Sequence, residues 1–145
     1  MTTTIGAILE AKGRSLHSIS PDDSVFSALE KMAGHNVGAL VVLAEDKLVG
    51  IISERDYARK IALMGRTSPA TQVRDIMSTK VICARLDQTV EECMAVMTAR
   101  AVRHLPVLDH KNVVGMVSIG DLVKAIISDQ KFVIERLEHY ILGSH

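Results

Sequence analysis

Residues 17–64 lie over residues 82–129 at a shift of 65 with no gap, which constrains the chain to fold as two copies of one unit. The shift matches Asp22 with Asp87, Val25 with Val90, Met32 with Met97, Leu40 with Leu105, Val42 with Val107 and Val49 with Val114. It also lays Gly50-Ile51-Ile52-Ser53-Glu54-Arg55-Asp56 over Gly115-Met116-Val117-Ser118-Ile119-Gly120-Asp121. Both stretches read Gly, two apolar residues, Ser, two variable positions and Asp.

Each copy reads as strand, helix, strand, strand, helix. In the first, Leu16 to Ile19 is a short strand, and Pro21-Asp22-Asp23-Ser24 supplies a turn and a helix cap. Val25, Ala28, Leu29 and Met32 then follow at helical spacing. Ala39 to Leu43 and Leu48 to Ile52, separated by Ala44-Glu45-Asp46-Lys47, predict a hairpin. Tyr57, Ala58, Ile61 and Ala62 make the stripe of a closing helix. The second copy repeats the series with Val81 to Ala84, then Val90, Cys93, Met94 and Met97. Strands Leu105 to Leu108 and Val113 to Val117 follow, with Leu122, Val123, Ile126 and Ile127 on the last helix.

The register slips once. Val73-Arg74-Asp75-Ile76-Met77 resembles Ile5-Gly6-Ala7-Ile8-Leu9 at a shift of 68, so the first copy carries extra residues around Lys12-Gly13-Arg14-Ser15. The chain divides into a first repeat with its N-terminal helix at 5–64, a linker at 65–75, a second repeat at 76–130 and a terminal amphipathic helix at 131–142. That last helix caps the core or faces a second subunit.

The repeated signal has a chemistry. Each apolar strand ends in a hydroxyl, and an acid three residues later opens the next helix. A carboxylate accepts hydrogen bonds from both hydroxyls of a vicinal diol such as ribose, and a helix N-terminus with a Ser hydroxyl suits a phosphate or sugar oxygen. The competing role for Asp at such a turn is a plain helix cap; recurrence in register with Gly and Ser favours a pair of nucleotide sites.

Composition excludes several classes. With 17 basic and 17 acidic residues the formal charge is zero, unlike the basic face of a nucleic-acid binder. No run approaches the roughly 18 apolar residues of a membrane helix, and Met1-Thr2-Thr3-Thr4-Ile5 lacks the character of a signal peptide; a cytoplasmic location is expected. Cys83 and Cys93 are the only cysteines, too few for a disulfide framework or a four-cysteine zinc site, and Cys93 reads as a small buried hydrophobe. His35, His110 and His139 have no metal-ligand spacing, so no metal is expected. The chain holds no Gly-Lys-Ser/Thr phosphate loop, no nucleophile elbow and no Gly-x-Gly-x-x-Gly, which argues against an enzyme and a catalytic cofactor.

Taken with Lys12-Gly13-Arg14, Ser53-Glu54-Arg55-Asp56-Tyr57, Arg103-His104-Leu105-Pro106-Val107 and the tail Tyr140-Ile141-Leu142-Gly143, the doubled signal resembles a tandem pair of cystathionine-β-synthase (CBS) domains, a Bateman module of the stand-alone bacterial type. The resemblance implies an α+β fold of two pseudo-symmetric β-α-β-β-α repeats packed about a pseudo-two-fold. It implies an adenine-nucleotide ligand (AMP, ADP, ATP or NAD(H)), a regulatory role and a homodimer formed through helices.

It also implies site residues. Ser53, Asp56, Ser118 and Asp121 would take the ribose. The first cleft would be completed by Val81 and Ile82 against the adenine and by Arg103 and His104 near the phosphate. The second would be completed by Leu16, His17, Gly38 and Ala39, with Lys12 and Arg14 supplying the charge that Gly38 and Ala39 lack. Arg55 is a further phosphate candidate, and Ile51 and Met116 are core residues that also wall the adenine. A protein-interaction adaptor without nucleotide is the competing reading, and an enzyme the least favoured.

Overall fold

The computed structural model describes residues 3–142. An N-terminal helix α1 (Ile5–Lys12) precedes a series of β1 (Ser18–Ile19), α2 (Val25–His35), β2 (Ala39–Ala44), β3 (Lys47–Ser53) and α3 (Glu54–Tyr57). A π-helical turn (Ala58–Ala62) and a 3-10 turn (Val73–Asp75) lead into β4 (Ala84–Arg85), α4 (Val90–Arg100), β5 (His104–Asp109), β6 (Asn112–Ser118) and α5 (Ile119–Leu142). The strands form two three-stranded sheets, ordered β1-β2-β3 and β4-β5-β6. In the first, β1 runs parallel to β2 with Ile19 opposite Val42, and β2 pairs antiparallel to β3 with Ala39 opposite Ser53. In the second, β4 runs parallel to β5 with Ala84 opposite Val107, the same register moved by 65. This is the α+β architecture of two equivalent repeats.

Local signals set the helix ends as read. Ser24 accepts a hydrogen bond from the Ser27 N–H (3.0 Å) and caps α2. Thr89 and Glu92 close a reciprocal capping box on α4. Three elements differ from expectation. Strand β1 keeps only the last two residues of the expected Leu16–Ile19, and β4 keeps only Ala84 of the expected Val81–Ala84 and adds Arg85. The closing helix of the first repeat is one turn of α-helix followed by the π-helical turn, so Ile61 is buried while Ala58 and Ala62 are exposed. The last helix of the second repeat and the terminal helix are one continuous α5; its Leu122 is buried, whereas Val123 and Ile127 face outward. Gly143 lies outside the described residues.

The chain packs as two compact units that cut across the order of the sequence. One takes the segment ending at Arg14, Cys83–Asp109 and the stretch from Gly115 onward; the other takes Ser15–Ile82 and His110–Val114. Helix α1, first in sequence order, therefore packs with the second repeat. Its counterpart at the shift of 68, the segment around Val73–Asp75, packs with the first.

The backbone contacts repeat under this exchange. Val90 N–H donates to Thr3 O, as Val25 N–H donates to Thr71 O (both 2.9 Å). Ile5 N–H donates to Gln88 O, as Val73 N–H donates to Asp23 O (both 2.8 Å). Gly6 N–H donates to Leu86 O (2.9 Å), as Arg74 N–H donates to Pro21 O (3.0 Å).

Each unit has its own core. One gathers Ile19, Val25, Ala28, Met32, Leu40, Val42, Ile52, Ile61, Val73 and Ile76. The other contains Ile5, Leu9, Val90, Cys93, Met97, Leu105, Val107, Val117 and Leu122, all buried.

Gly50 and Gly115 are sites of close approach. A Cβ on Gly50 would stand 2.7 Å from Met77 Sδ and 2.9 Å from Ser78 O, and one on Gly115 would stand 3.0 Å from Leu9 Cδ2. Met77 and Leu9 are counterparts at the shift of 68. Gly34, in α2, has nothing within 4 Å of such a Cβ. Gly50→Ala should therefore cost about 1–3 kcal/mol through overpacking, while Gly34→Ala should stabilise by up to about 1 kcal/mol through helix propensity. Thermal melts of the two variants check the opposite signs.

Candidate functional site

Strand alternation puts Ile51 on the same sheet face as Ser53, because successive side chains of β3 point to opposite faces; Gly50 and Ile52 are buried on the other face while Ile51 and Ser53 stay half-buried. Met116 and Ser118 stand in the same relation on β6. Each repeat thus offers an apolar side chain, a hydroxyl and then a helix start along one half-buried face.

The helix starts are closed by the expected Ser and Asp pairs. Ser53 N–H donates to Asp56 Oδ2 (2.9 Å), and Asp56 N–H returns to Ser53 Oγ (3.3 Å). Ser118 N–H donates to Asp121 Oδ2 (2.8 Å), and Asp121 N–H returns to Ser118 Oγ (3.2 Å). Both are capping boxes, so the capping role weighed from sequence is present at both acids. The carboxylates are not turned out into bulk water: the side chains of Asp56 and Asp121 are 14% and 19% exposed.

Each acid also carries a lysine. Lys12 Nζ donates to Asp121 Oδ2 (2.8 Å) and to Met116 O (2.9 Å). Lys60 Nζ lies 3.4 Å from Asp56 Oδ1 and donates to Ile76 O (2.9 Å). Lys12, expected from sequence to supply charge for a phosphate, is placed beside the second carboxylate and pairs with it. Lys60 was missed, although its position four residues after Asp56 on a helix was signal enough. Burial pushes the Asp121 carboxyl up, but hydrogen bonds from Lys12 and Ser118 outweigh it and hold it below the usual carboxylate value.

The other expected residues are distributed as follows. Arg14 pairs with Glu10 on the surface (3.2 Å), and Arg55 is exposed. Val81, Ile82, Leu16, His17 and Gly38 are half-buried and Ala39 is fully buried, all in the compact unit that contains Ser53 and Asp56. Arg103 is exposed and His104 half-buried, in the unit that contains Ser118 and Asp121. Gly38 O accepts from Glu54 N–H (3.0 Å) and Arg103 O from Ile119 N–H (2.9 Å), so the two positions hold the helix starts of α3 and α5 alike. His17 stacks on His35 with ring centroids 3.9 Å apart.

An open hollow of about 910 Å³ lies at the other end of β2 and β3, among Ser18, Pro21, Lys31, Glu45, Lys47 and Arg74. It is at the hairpin, away from Ser53, and belongs to different chemistry. Among the described residues no helix is long and apolar enough to cross a membrane, and no group of His, Cys, Asp and Glu is placed to hold a metal ion.

With this geometry in place, the family follows. The family model for the CBS domain matches the chain twice, over residues 12–63 and 73–128. The chain belongs to the CBS-domain family, as a tandem pair. It is 41% identical over 153 residues to the mitochondrial CBS domain-containing protein CBSX3 of Arabidopsis thaliana, an alignment covering 99% of this chain and 74% of that one. A putative signal-transduction protein with CBS domains from Burkholderia ambifaria has a solved structure 46% identical to it, with a TM-score of 0.86, covering 88% of this chain and 96% of the other. The CBS domain pair of protein MJ0100, solved in complex with 5′-methylthioadenosine and S-adenosyl-L-methionine, is 26% identical with a TM-score of 0.78, covering 89% and 99%. Inosine-5′-monophosphate dehydrogenase of Methanocaldococcus jannaschii is 38% identical over 109 residues, which are 74% of this chain but 21% of that enzyme.

The depressed Asp121 carboxyl has a consequence for folding. A group whose folded pKa is lowered adds stability that is present above its unfolded value, about 3.9, and lost as pH falls through the folded one. Denaturant unfolding followed from about pH 5 to about pH 3 should show the wild type losing more stability than Asp121→Asn. Parallel curves would remove ionised Asp121 from the balance.

Proposed function

We propose that this chain is a non-catalytic sensor of adenine nucleotides (AMP, ATP or NAD(H)), acting in the cytoplasm. The carrying observation is the doubled, half-buried carboxylate next to a hydroxyl and an apolar side chain on one face, in a family with a member solved on two adenosine compounds. Asp56 with Ser53, and Asp121 with Ser118, grip ribose hydroxyls. Ile51, Met116, Val81, Ile82, Leu16, His17 and Gly38 wall the adenines, with the buried Ala39 behind them, and Arg103, His104, Arg55, Lys12 and Arg14 receive phosphate. Binding signals only through unequal affinity for two conformations.

The capping boxes dictate the test. Alanine would remove cap and acid together, whereas asparagine still accepts from the Ser N–H and loses the charge and one acceptor oxygen. Loss of a charge-assisted contact costs roughly 1.5–3 kcal/mol, about tenfold to a hundredfold in affinity. Asp56→Asn and Asp121→Asn should each weaken AMP at one site by that factor in calorimetry, with little change in melting temperature for Asp56→Asn and a modest fall at neutral pH for Asp121→Asn, whose ionised carboxyl adds stability. Unchanged affinity in both would transfer the role of these acids entirely to capping and favour an adaptor without nucleotide.

Helix α5 supports the expected homodimer. Ile119, Val123, Ile127, Ile134 and Leu137 recur at helical spacing and are 39–55% exposed, an apolar stripe of the kind a second helix covers. The wild type should sediment as a dimer, and Ile127→Glu combined with Leu137→Glu as a monomer. Sedimentation of both as the same species would remove this face from assembly.

A further inference from the structure

Asp56 and Asp121 are equivalent under the shift of 65, but the lysines upon them are not. Lys60 reaches Asp56 from one turn along the same helical segment. Its counterpart in the second repeat is Ala125, which has no charge to offer. The cation on Asp121 comes instead from Lys12, the last residue of α1, whose counterpart at the shift of 68 is Lys80. Two unrelated positions therefore deliver an ammonium to two equivalent acids.

Lys12 also occupies what a ribose needs. Asp121 Oδ2 accepts from both Lys12 Nζ and the Ser118 N–H, each at 2.8 Å. The same ammonium takes the Met116 carbonyl on β6, the residue expected to wall the adenine. A diol approaching Asp121 meets an internal cation in its place.

We propose that Lys12 is a latch exchanged for ligand at Asp121, which makes this site select phosphate-bearing adenine nucleotides over neutral nucleosides. The proposal rests on Asp121 being a ribose acid. The diol takes over the carboxylate, and the released ammonium, on a flexible four-carbon stem, turns to the ligand's anion. A phosphate replaces the partner that Lys12 has lost; adenosine does not. Opening is inexpensive, because Lys12 is 40% exposed and a pair so accessible to water is worth at most about fivefold in an equilibrium constant. Exchange also unties the end of α1 from the start of α5, so occupancy is felt by the helix with the open apolar face.

The test isolates the second site in an Asp56→Asn background and titrates AMP and adenosine by calorimetry into full-length protein. Lys12→Met keeps most of the stem and removes the charge. It should weaken AMP by about twofold to a hundredfold, the loss of one charge-assisted contact partly offset by the latch no longer having to open, and tighten adenosine by up to about fivefold, where only the offset remains. Lys12→Arg should restore the preference for AMP, which a purely structural role would not require. Equal effects on both ligands, or none, with the Asp121→Asn loss of AMP intact, overturn the latch and leave the nucleotide reading standing. If Asp121→Asn in this background leaves AMP binding unchanged, the ribose reading fails and the latch fails with it.

Discussion

The whole arrangement depends on the close approach of a short leading segment to a strand of the repeat with which it packs. At Gly50 the neighbour is Met77 with Ser78; at Gly115 it is Leu9. A side chain at Gly50 would crowd Met77 and the Ser78 carbonyl, and one at Gly115 would press on Leu9, each straining the segment whose backbone bonds tie Thr71 to Val25 or Thr3 to Val90. The leading segments also supply buried core residues, Ile5, Ile8 and Leu9 in one unit and Val73 and Ile76 in the other. At roughly 1.5–3 kcal/mol for each large apolar side chain buried, neither unit is complete without a segment that lies far from its sheet in sequence.

That exchange explains what the sequence could and could not disclose. The shift of 65 exposed the two repeats, their strands and their caps because pleat and helix periods are local properties written into consecutive residues. The slip to 68 showed that residues 5–9 and 73–77 are counterparts. It did not show which sheet each would cover, since packing between distant segments leaves no periodic trace. The π-helical turn at Ala58–Ala62 escaped for a related reason: its apolar positions fit an ordinary helix, and only packing exposed Ala58 and Ala62. The strand starts at Leu16 and Val81 were read too long because apolar residues before a strand look the same whether or not a neighbour pairs with them.

The acids were legible as a repeated signal, and so was the ambiguity in their role. A carboxylate three residues after a strand-ending Ser satisfies the helix start whether or not a sugar ever arrives. Capping and ligand-gripping are compatible on one group, because a carboxylate has about four acceptor positions and the box uses few of them. The cap holds the carboxylate in one orientation beside the strand, which limits the side-chain entropy lost on binding. Lys60 and Lys12 use further capacity, so a partly buried charge is not left without a partner.

Duplication of the scaffold has not kept the chemistry equal. Gly38 and Arg103 do the same backbone work, each carbonyl receiving the first N–H of the following helix. Backbone geometry at this point is held by the strand and the helix start, so the side chain is free to differ. One repeat offers no side chain there and the other a guanidinium; the next position is a buried Ala39 in one and an imidazole, His104, in the other. The cationic side chains near the two acids therefore come from different elements in the two halves. Lys12 belongs to this asymmetry, since it brings to the Asp121 carboxylate a charge that Ala125 cannot. A protein built this way carries two Ser–Asp helix starts of one geometry in two electrostatic environments, and under the proposed nucleotide reading that is the physical condition for telling apart ligands that share an adenosine and differ in charge.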